Sequence, residues 1–367
     1  MESRKIIISG GGTGGHIFPA VAIANAIMQL HPGTEILFVG AQGRMEMEKV
    51  PAAGYKIIGL NIQGIQRGSV VKNLMFPVKL FQSVKAAIRI IKDFKPDAAV
   101  GVGGYASGPL LYAAWLRGIP CLIQEQNSYA GITNKWLGNK AKKICVAFDG
   151  MQKFFPANKI IKTGNPVRRE SVEITGRHLP ALELYKLSAE KKTILVTGGS
   201  LGARTLNNSI RAGLQKLIDA DVQLIWQTGK SYYKAVTEEL GTEYHNNIII
   251  TEFLSRMDLA YAAADIIISR AGAGTIAELC MIKKPVILVP SPNVAEDHQT
   301  KNALALIEAN AAIMVPDRDA EIKLVDRALE LLADDRKQKT IAENIGKLAL
   351  PHADIDIANE VFKLIRK

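Results

Sequence analysis

Ile6-Ile7-Ile8-Ser9-Gly10-Gly11-Gly12-Thr13-Gly14-Gly15-His16 runs three β-branched residues into a glycine cluster, and a helical stretch follows over 19–30. That order predicts strand, glycine loop, helix. Pro19 suits an early helical position, where a missing N–H costs nothing, and 36–39 (Ile-Leu-Phe-Val) reads as the next strand. The unit recurs about half a chain later. Ile194-Leu195-Val196 leads into Thr197-Gly198-Gly199-Ser200-Leu201-Gly202-Ala203-Arg204, then into a stripe of Leu206, Ile210, Leu214 and Leu217. Further short apolar runs alternate with helical segments at 98–102, 121–123, 144–146, 224–226, 248–250, 266–268 and 286–289. Such alternation predicts an α/β fold of two tandem, doubly wound, Rossmann-like domains with parallel sheets.

The joint is expected at Thr163-Gly164-Asn165-Pro166, where turn residues follow the last apolar run of the first half. This gives an amino-terminal domain over 1–163 and a carboxy-terminal domain over 164–354. A terminal helix is expected over 355–367, from Ile357, Val361 and Leu364 at helical spacing, and it can join the first domain.

Gly10, Gly12 and Gly15 satisfy G-x-G-x-x-G between a strand and a helix, a context in which backbone N–H groups receive phosphate. A dinucleotide site also wants an acid at the end of the second strand, but Val39 is followed by Gly40, Ala41 and Gln42. Neither glycine cluster continues into Gly-Lys-Ser or Gly-Lys-Thr, which excludes a Walker A loop. Two more glycine-rich turns stand at strand ends, 101–109 and 269–278. Ligands of open parallel sheets bind outside those ends, so four such loops predict one cleft between the domains. In the last loop Thr275 and Ile276 should start a helix, with Glu278 about one turn in. Its carboxylate would repel a diphosphate but accept from a ribose hydroxyl pair; simple compensation of the helix dipole is the alternative.

Forty-six Lys and Arg against 35 Asp and Glu leave a net charge of +11, which favours an anionic partner. With only 6% aromatic residues and no recognition module, nucleic acid is not expected. Between residues 61 and 92 the bases Arg67, Lys72, Lys79, Lys85, Arg89 and Lys92 stand among large apolar groups, with no acid. Read as a helix, Leu74, Val78, Phe81 and Ile88 form the core stripe, while Lys72, Met75, Phe76, Lys79 and Leu80 lie opposite. That second face is interfacial in character, directed at an anionic membrane surface; an ordinary solvated helix is the alternative. Pro77 can instead begin the helix. No apolar run approaches the ~18 residues of a spanning helix, and the first residues reach glycine too early for a signal peptide. A cytoplasmic protein is expected. Cys121, Cys145 and Cys280 are scattered in apolar stretches and read as core thiols.

Together these segments carry a resemblance. Gly-Gly-Gly-Thr-Gly-Gly-His at 10–16, Gly-Val-Gly-Gly-Tyr-Ala-Ser-Gly-Pro at 101–109, and Glu-Gln-Asn-Ser-Tyr-Ala-Gly-Ile-Thr-Asn-Lys-Trp-Leu at 125–137 contribute to it. So do Thr-Gly-Asn-Pro-Val-Arg at 163–168, Gly-Gly-Ser-Leu-Gly-Ala-Arg at 198–204, the 273–278 loop and Asp-His-Gln at 297–299. In order and over the whole chain, they resemble the bacterial glycosyltransferases that move N-acetylglucosamine from UDP-N-acetylglucosamine to undecaprenyl-diphospho-N-acetylmuramyl-pentapeptide. The resemblance implies a glycosyltransferase B fold, with the donor held by the second domain and the lipid-linked acceptor by the first. Carried over by position, Thr13, Gly14, Gly15, Asn127, Arg168, Ser200, Leu254, Ala273, Gly274, Thr275, Ile276, Ala277, Glu278 and Gln299 would contact the donor. Arg168 offers a guanidinium fork for phosphate.

The implied reaction is a direct, inverting attack of the muramyl C4 hydroxyl, which needs a base near that hydroxyl and positive potential at the leaving diphosphate. His16 is the first candidate base, its ordinary pKa of about 6.5 suiting the task. A histidine that only orders its loop is the alternative. Glu125 is the second candidate, though a carboxylate beside two amides can equally be structural. Gln124 stands where the family commonly has His, so position 124 is not the base. No cofactor and no catalytic metal are expected: the Asp-x-Asp pairs at 219/221, 317/319 and 354/356 are short patterns, and loop N–H groups with Arg168 can meet the leaving charge. A sugar-nucleotide epimerase, or a related transferase with another acceptor, is the competing reading. A peripheral enzyme at the cytoplasmic face of the cell membrane is the expected setting.

Overall fold

The structure, a computed structural model, describes residues 4–62, 76–199, 201–240 and 247–365. The chain divides into two compact units, residues 1–167 with 351–367, and 168–350. The sequence reading set these junctions at 163/164 and 354/355.

In the first unit the strands are β1 (Lys5–Gly10), β2 (Glu35–Ala41), β3 (Lys56–Leu60), β4 (Ala98–Gly103), β5 (Cys121–Glu125), β6 (Lys143–Val146) and β7 (Ile160–Lys162). They form one sheet in the order β3-β2-β1-β4-β5-β6-β7, and every pair is parallel. Ile6, Ile7 and Ile8 are fully buried because β1 lies mid-sheet with a helical layer on each face. Ile7 enters the layer of helices Phe76–Phe94 and Ser107–Leu116, whereas Ile6 and Ile8 face helices Gly14–Leu30 and Ala353–Ile365. Each such isoleucine contributes about 1.5–3 kcal/mol over an exposed one. The terminal helix seals its layer with Ile357, Ala358, Val361 and Phe362 against Ile23 and Ile27.

The second unit holds β8 (Thr193–Thr197), β9 (Gln223–Gln227), β10 (Ile248–Thr251), β11 (Ile266–Ser269), β12 (Val286–Leu288) and β13 (Ile313–Met314). Their order is β10-β9-β8-β11-β12-β13, again all parallel. The topology repeats that of the first six strands of unit one. The stripe expected from Leu206 to Leu217 is broken into helices Arg204–Ala212 and Leu214–Asp219 at Gly213, where a Cβ would lie 2.4 Å from Val325 Cγ2.

One expected helical face is corrected. Helix Phe76–Phe94 buries Ser83, Ala87 and Ile91, with Leu80 and Ile88 partly covered, while Val78 and Phe81 are exposed. Small residues decide this: Ser83 and Ala87 allow close approach to the core, and the Ser83 hydroxyl donates to the Asn61 carbonyl at 3.2 Å. Val78 and Phe81 therefore leave the core stripe, and Leu80 joins it. Lys72, Leu74 and Met75 lie outside the described residues.

Candidate functional site

Each sheet reverses its strand order beside its first strand, between β1 and β4 in one unit and between β8 and β11 in the other. Loops that leave such a pair diverge and open a crevice at the carboxyl ends of the strands.

In the first unit, the loop after β1 carries Gly11, Gly12 and Thr13 into helix Gly14–Leu30. Thr13 occupies the N-cap position, yet its hydroxyl makes no cap bond. It lies 3.3 Å from Nδ1 of His16. The imidazole rests on the turn after β4: a Cβ on Gly103 would stand 2.7 Å from His16 Cδ2 and 2.8 Å from Nε2. Gly103 has φ +103° and Gly104 φ +90°, and a Cβ on Gly104 would meet the Gly11 carbonyl at 2.3 Å. Only glycines permit these two turns to interlock.

Glu125 ends β5 and is buried. Oε1 accepts from the Asn127 N–H at 3.1 Å and Asn127 Nδ2 at 3.3 Å; Oε2 accepts from the Gly131 N–H at 3.0 Å and Asn134 Nδ2 at 2.9 Å. Burial raises its pKa, and these four donors oppose the rise. The carboxylate thus ties down the whole 126–134 loop, including Asn127. Gln124 is buried beside it, donating to Asn165 Oδ1 at 2.9 Å, which links the β5 end to the segment after β7.

In the second unit, helix Ala273–Ile282 begins directly after β11 with Gly272 as its N-cap residue, and Ala273, Gly274, Thr275, Ile276, Ala277 and Glu278 form its first turns. Glu278 Oε2 accepts from the buried Tyr261 hydroxyl at 2.9 Å. Burial pushes the Glu278 carboxyl up, against the Tyr261 hydrogen bond and the charge of Arg168. Arg168 is exposed at the head of the short helix Arg169–Val172 and within electrostatic reach of both Glu278 and Tyr261. Leu254 is buried just after β10. Ser200 lies outside the described residues.

Around the loop after β8 there is a pocket of about 320 Å³, lined among others by Gly198, Gly202, Arg204, Arg270, Ser291 and Gln299. Gln299 accepts through Oε1 from the N–H groups of Ala271 at 3.2 Å and Ser291 at 2.9 Å, so its carbonyl end braces two strand-end loops. Arg270 donates to Asp317 Oδ1 at 2.5 Å and to the Val289 carbonyl at 3.0 Å, while Thr205 donates to Asp317 Oδ2 at 3.1 Å. Asp317 is therefore occupied by a guanidinium and a hydroxyl. No local pattern in the sequence marks Tyr261, Arg270 or Glu46. Tyr261 is hidden in an apolar helical run, and Arg270 sits in a loop read for its glycines.

A further surface lies on the first unit. Tyr112 packs against Trp115 and Trp136, with ring centroids 5.7 and 5.0 Å apart, and Lys140 Nζ lies 5.3 Å from the Trp115 ring and 5.1 Å from that of Trp136. Trp115 and Trp136 are nearly half exposed, and Phe81 is 71% exposed. Among the described residues no helix is long and apolar enough to cross a membrane.

Two doubly wound units, each opening glycine loops at its switch point, constitute a glycosyltransferase of the B fold. The chain belongs to glycosyltransferase family 28: residues 6–146 match the family's N-terminal domain and 193–356 its C-terminal domain. A relative from Bacteroides thetaiotaomicron, 60% identical over 99% of this chain and 98% of its own length, is named UDP-N-acetylglucosamine–N-acetylmuramyl-(pentapeptide) pyrophosphoryl-undecaprenol N-acetylglucosamine transferase. One of the same name from Parabacteroides distasonis is 56% identical over the full length of both chains. The solved structure of Acinetobacter baumannii MurG is 30% identical, with a TM-score of 0.79 over 98% of this chain and 99% of that one. A Neisseria meningitidis UDP-GlcNAc 2-epimerase, 17% identical with a TM-score of 0.68, over 98% of this chain and all of that one, shares the fold.

Proposed function

We propose that this enzyme transfers N-acetylglucosamine from UDP-N-acetylglucosamine to the C4 hydroxyl of undecaprenyl-diphospho-N-acetylmuramyl-pentapeptide, with inversion. The observation that carries the reading is the match, over 99% of the chain, to relatives named for this transfer. The second unit takes the donor. Glu278, with one oxygen held by Tyr261, keeps the other for ribose hydroxyls. Arg168 supplies positive charge, the loop after β8 supplies backbone donors, Ser200 contacts the donor, and Gln299, which lines the pocket there, offers its amide NH2 to the sugar. Leu254 gives an apolar wall for the base.

The first unit takes the acceptor. His16 is the base: in the tautomer that donates from Nδ1 to Thr13, Nε2 holds the lone pair. As the C4 oxygen bonds to the anomeric carbon, its proton passes to Nε2, and the bond from that carbon to the diphosphate oxygen breaks. UDP leaves with the electron pair. Glu125, surrounded by four donors, serves as a positioning residue for Asn127 and the 126–134 loop rather than as the base.

The protein acts as a peripheral enzyme at the cytoplasmic face of the cell membrane. Phe81, Val78, Trp115 and Trp136, with Lys85, Arg89 and Lys140, give an apolar and basic surface suited to anionic lipid. The test is product identity: purified protein, both substrates and mass spectrometry of the lipid fraction. A lipid-linked disaccharide-pentapeptide supports the reading; an unmodified acceptor with free N-acetylmannosamine would replace it with epimerisation.

A further inference from the structure

The sequence places no acid at the end of β2, yet the fold brings one there. Glu46, first residue of helix Glu46–Ala52, is 1% exposed and turns back beneath the glycine loop of the first unit. Oε2 accepts from the Gly12 N–H at 2.9 Å, and Oε1 accepts from the Ala41 N–H at 3.0 Å. Two glycines are shaped around it: a Cβ on Gly11 would lie 2.2 Å from Oε1, and one on Gly40 would lie 2.6 Å from Cγ.

In nucleotide-binding folds the N–H groups of this loop receive a phosphate. The equivalent loop in the second unit is braced in the opposite sense. Gln227, at the end of β9, donates from Nε2 to the Gly199 carbonyl at 3.0 Å and accepts from the Thr197 hydroxyl at 2.5 Å. A neutral amide there takes up a loop carbonyl. In the first unit a carboxylate takes up a loop N–H.

We infer that Glu46 is a built-in anion that fills the phosphate seat of the first unit's glycine loop and, as a positioning residue, fixes Thr13 and His16 for the acceptor reaction. The carboxylate fixes Gly12 at φ +86°; Thr13 follows at once, and its hydroxyl lies 3.3 Å from His16 Nδ1. On the far side the Gly103-Gly104 turn closes against Gly11 and the imidazole. Gly11 is thus held between Glu46 and Gly104. Burying a carboxylate is costly unless its oxygens are hydrogen-bonded, and here that cost is tied to one loop geometry. The inference rests on the reading above, in which His16, just past this loop, is the base toward the acceptor hydroxyl.

Glu46→Gln keeps the shape but turns an NH2 toward one of the two N–H groups. With saturating lipid-linked acceptor, kcat for transfer should fall about 50-fold, while the affinity for UDP itself stays within about twofold. Glu46→Ala empties the seat, and formate should restore its kcat by about tenfold without raising that of the unmodified enzyme. A kcat for Glu46→Gln within about twofold of the unmodified enzyme would overturn the inference. So would a fall in kcat accompanied by loss of UDP binding and of the thermal transition, or no effect of formate on Glu46→Ala. His16→Ala run alongside separates the two claims. Inactive His16→Ala with active Glu46→Gln removes this inference alone; active His16→Ala with slow Glu46→Gln removes the base and leaves Glu46 positioning the loop.

Discussion

The Tyr261 hydroxyl donates to Oε2 of Glu278 at 2.9 Å, which commits one oxygen of that carboxylate inside the protein; the other oxygen is the one proposed to accept from a ribose. Burial holds the Glu278 carboxyl above its ordinary value, and the tyrosine opposes that rise. Tyr261→Phe should therefore raise the Glu278 pKa further. Hydroxyl recognition needs the carboxylate, so affinity weakens as pH falls through that pKa, and the acid limb should move to higher pH in the variant. Calorimetric titration with UDP at a series of pH values should show this shift, with the variant losing affinity at a higher pH than the unmodified protein. An unmoved limb would mean that the bond does not act on the ligand.

Gly103 and His16 are matched in shape. Gly103→Ala places a methyl where the imidazole stands, at φ +103°, a conformation that disfavours any residue but glycine. Transfer should fall about 100-fold, with UDP affinity unchanged. Equal loss of both would point to unfolding of the loop's surroundings instead.

Much of this was legible in the chain. The isoleucine run of β1 and its repeat at β8 identify two parallel sheets, because a strand buried on both faces has no reason to alternate. The loops of both switch points follow from glycine at strand ends. Strands β3 and β7 are not legible: Lys56–Leu60 and Ile160–Lys162 lie at the edges of the sheet, and of their residues only Leu60 is buried. The buried face of helix Phe76–Phe94 is not legible from its bulky side chains, because Ser83 and Ala87 mark it by their smallness. Glu46 reaches Gly12, and Tyr261 reaches Glu278, only through tertiary folding, across 34 and 17 residues, and no local pattern announces either contact.

Asp258 is the electrostatic anchor of the second unit. Arg256 donates to it twice, at 3.0 and 2.7 Å, and Arg177 adds a third bond. The hydrogen bond from Arg256, opposed by burial and joined by Arg177, lowers the Asp258 pKa to about 2. A depressed carboxyl pKa stabilises the fold above the unfolded value and loses that contribution as pH falls through the folded one. About 2 kcal/mol should disappear between pH 4 and pH 2. Asp258→Asn should be less stable than the unmodified protein at pH 7 by a similar amount, with the gap closing in acid. Urea midpoints across that range read the outcome directly; a gap independent of pH would contradict it.

Phe81 is 71% exposed on a helix that also presents Lys85 and Arg89. Phe81→Ser combined with Lys140→Glu removes apolar area and reverses one charge beside the two tryptophans. Binding to vesicles rich in anionic lipid should weaken about 30-fold, and the weakening should shrink in high salt. UDP affinity should stay the same. Unchanged vesicle binding would move the membrane face elsewhere.

UDP release from UDP-N-acetylglucosamine, followed with and without undecaprenyl-diphospho-N-acetylmuramyl-pentapeptide in the presence of a chelator, tests the central claim most directly. The account predicts release that depends on the acceptor, matches disaccharide-lipid formed mole for mole, and disappears in His16→Ala. Release at the same rate without acceptor would contradict it.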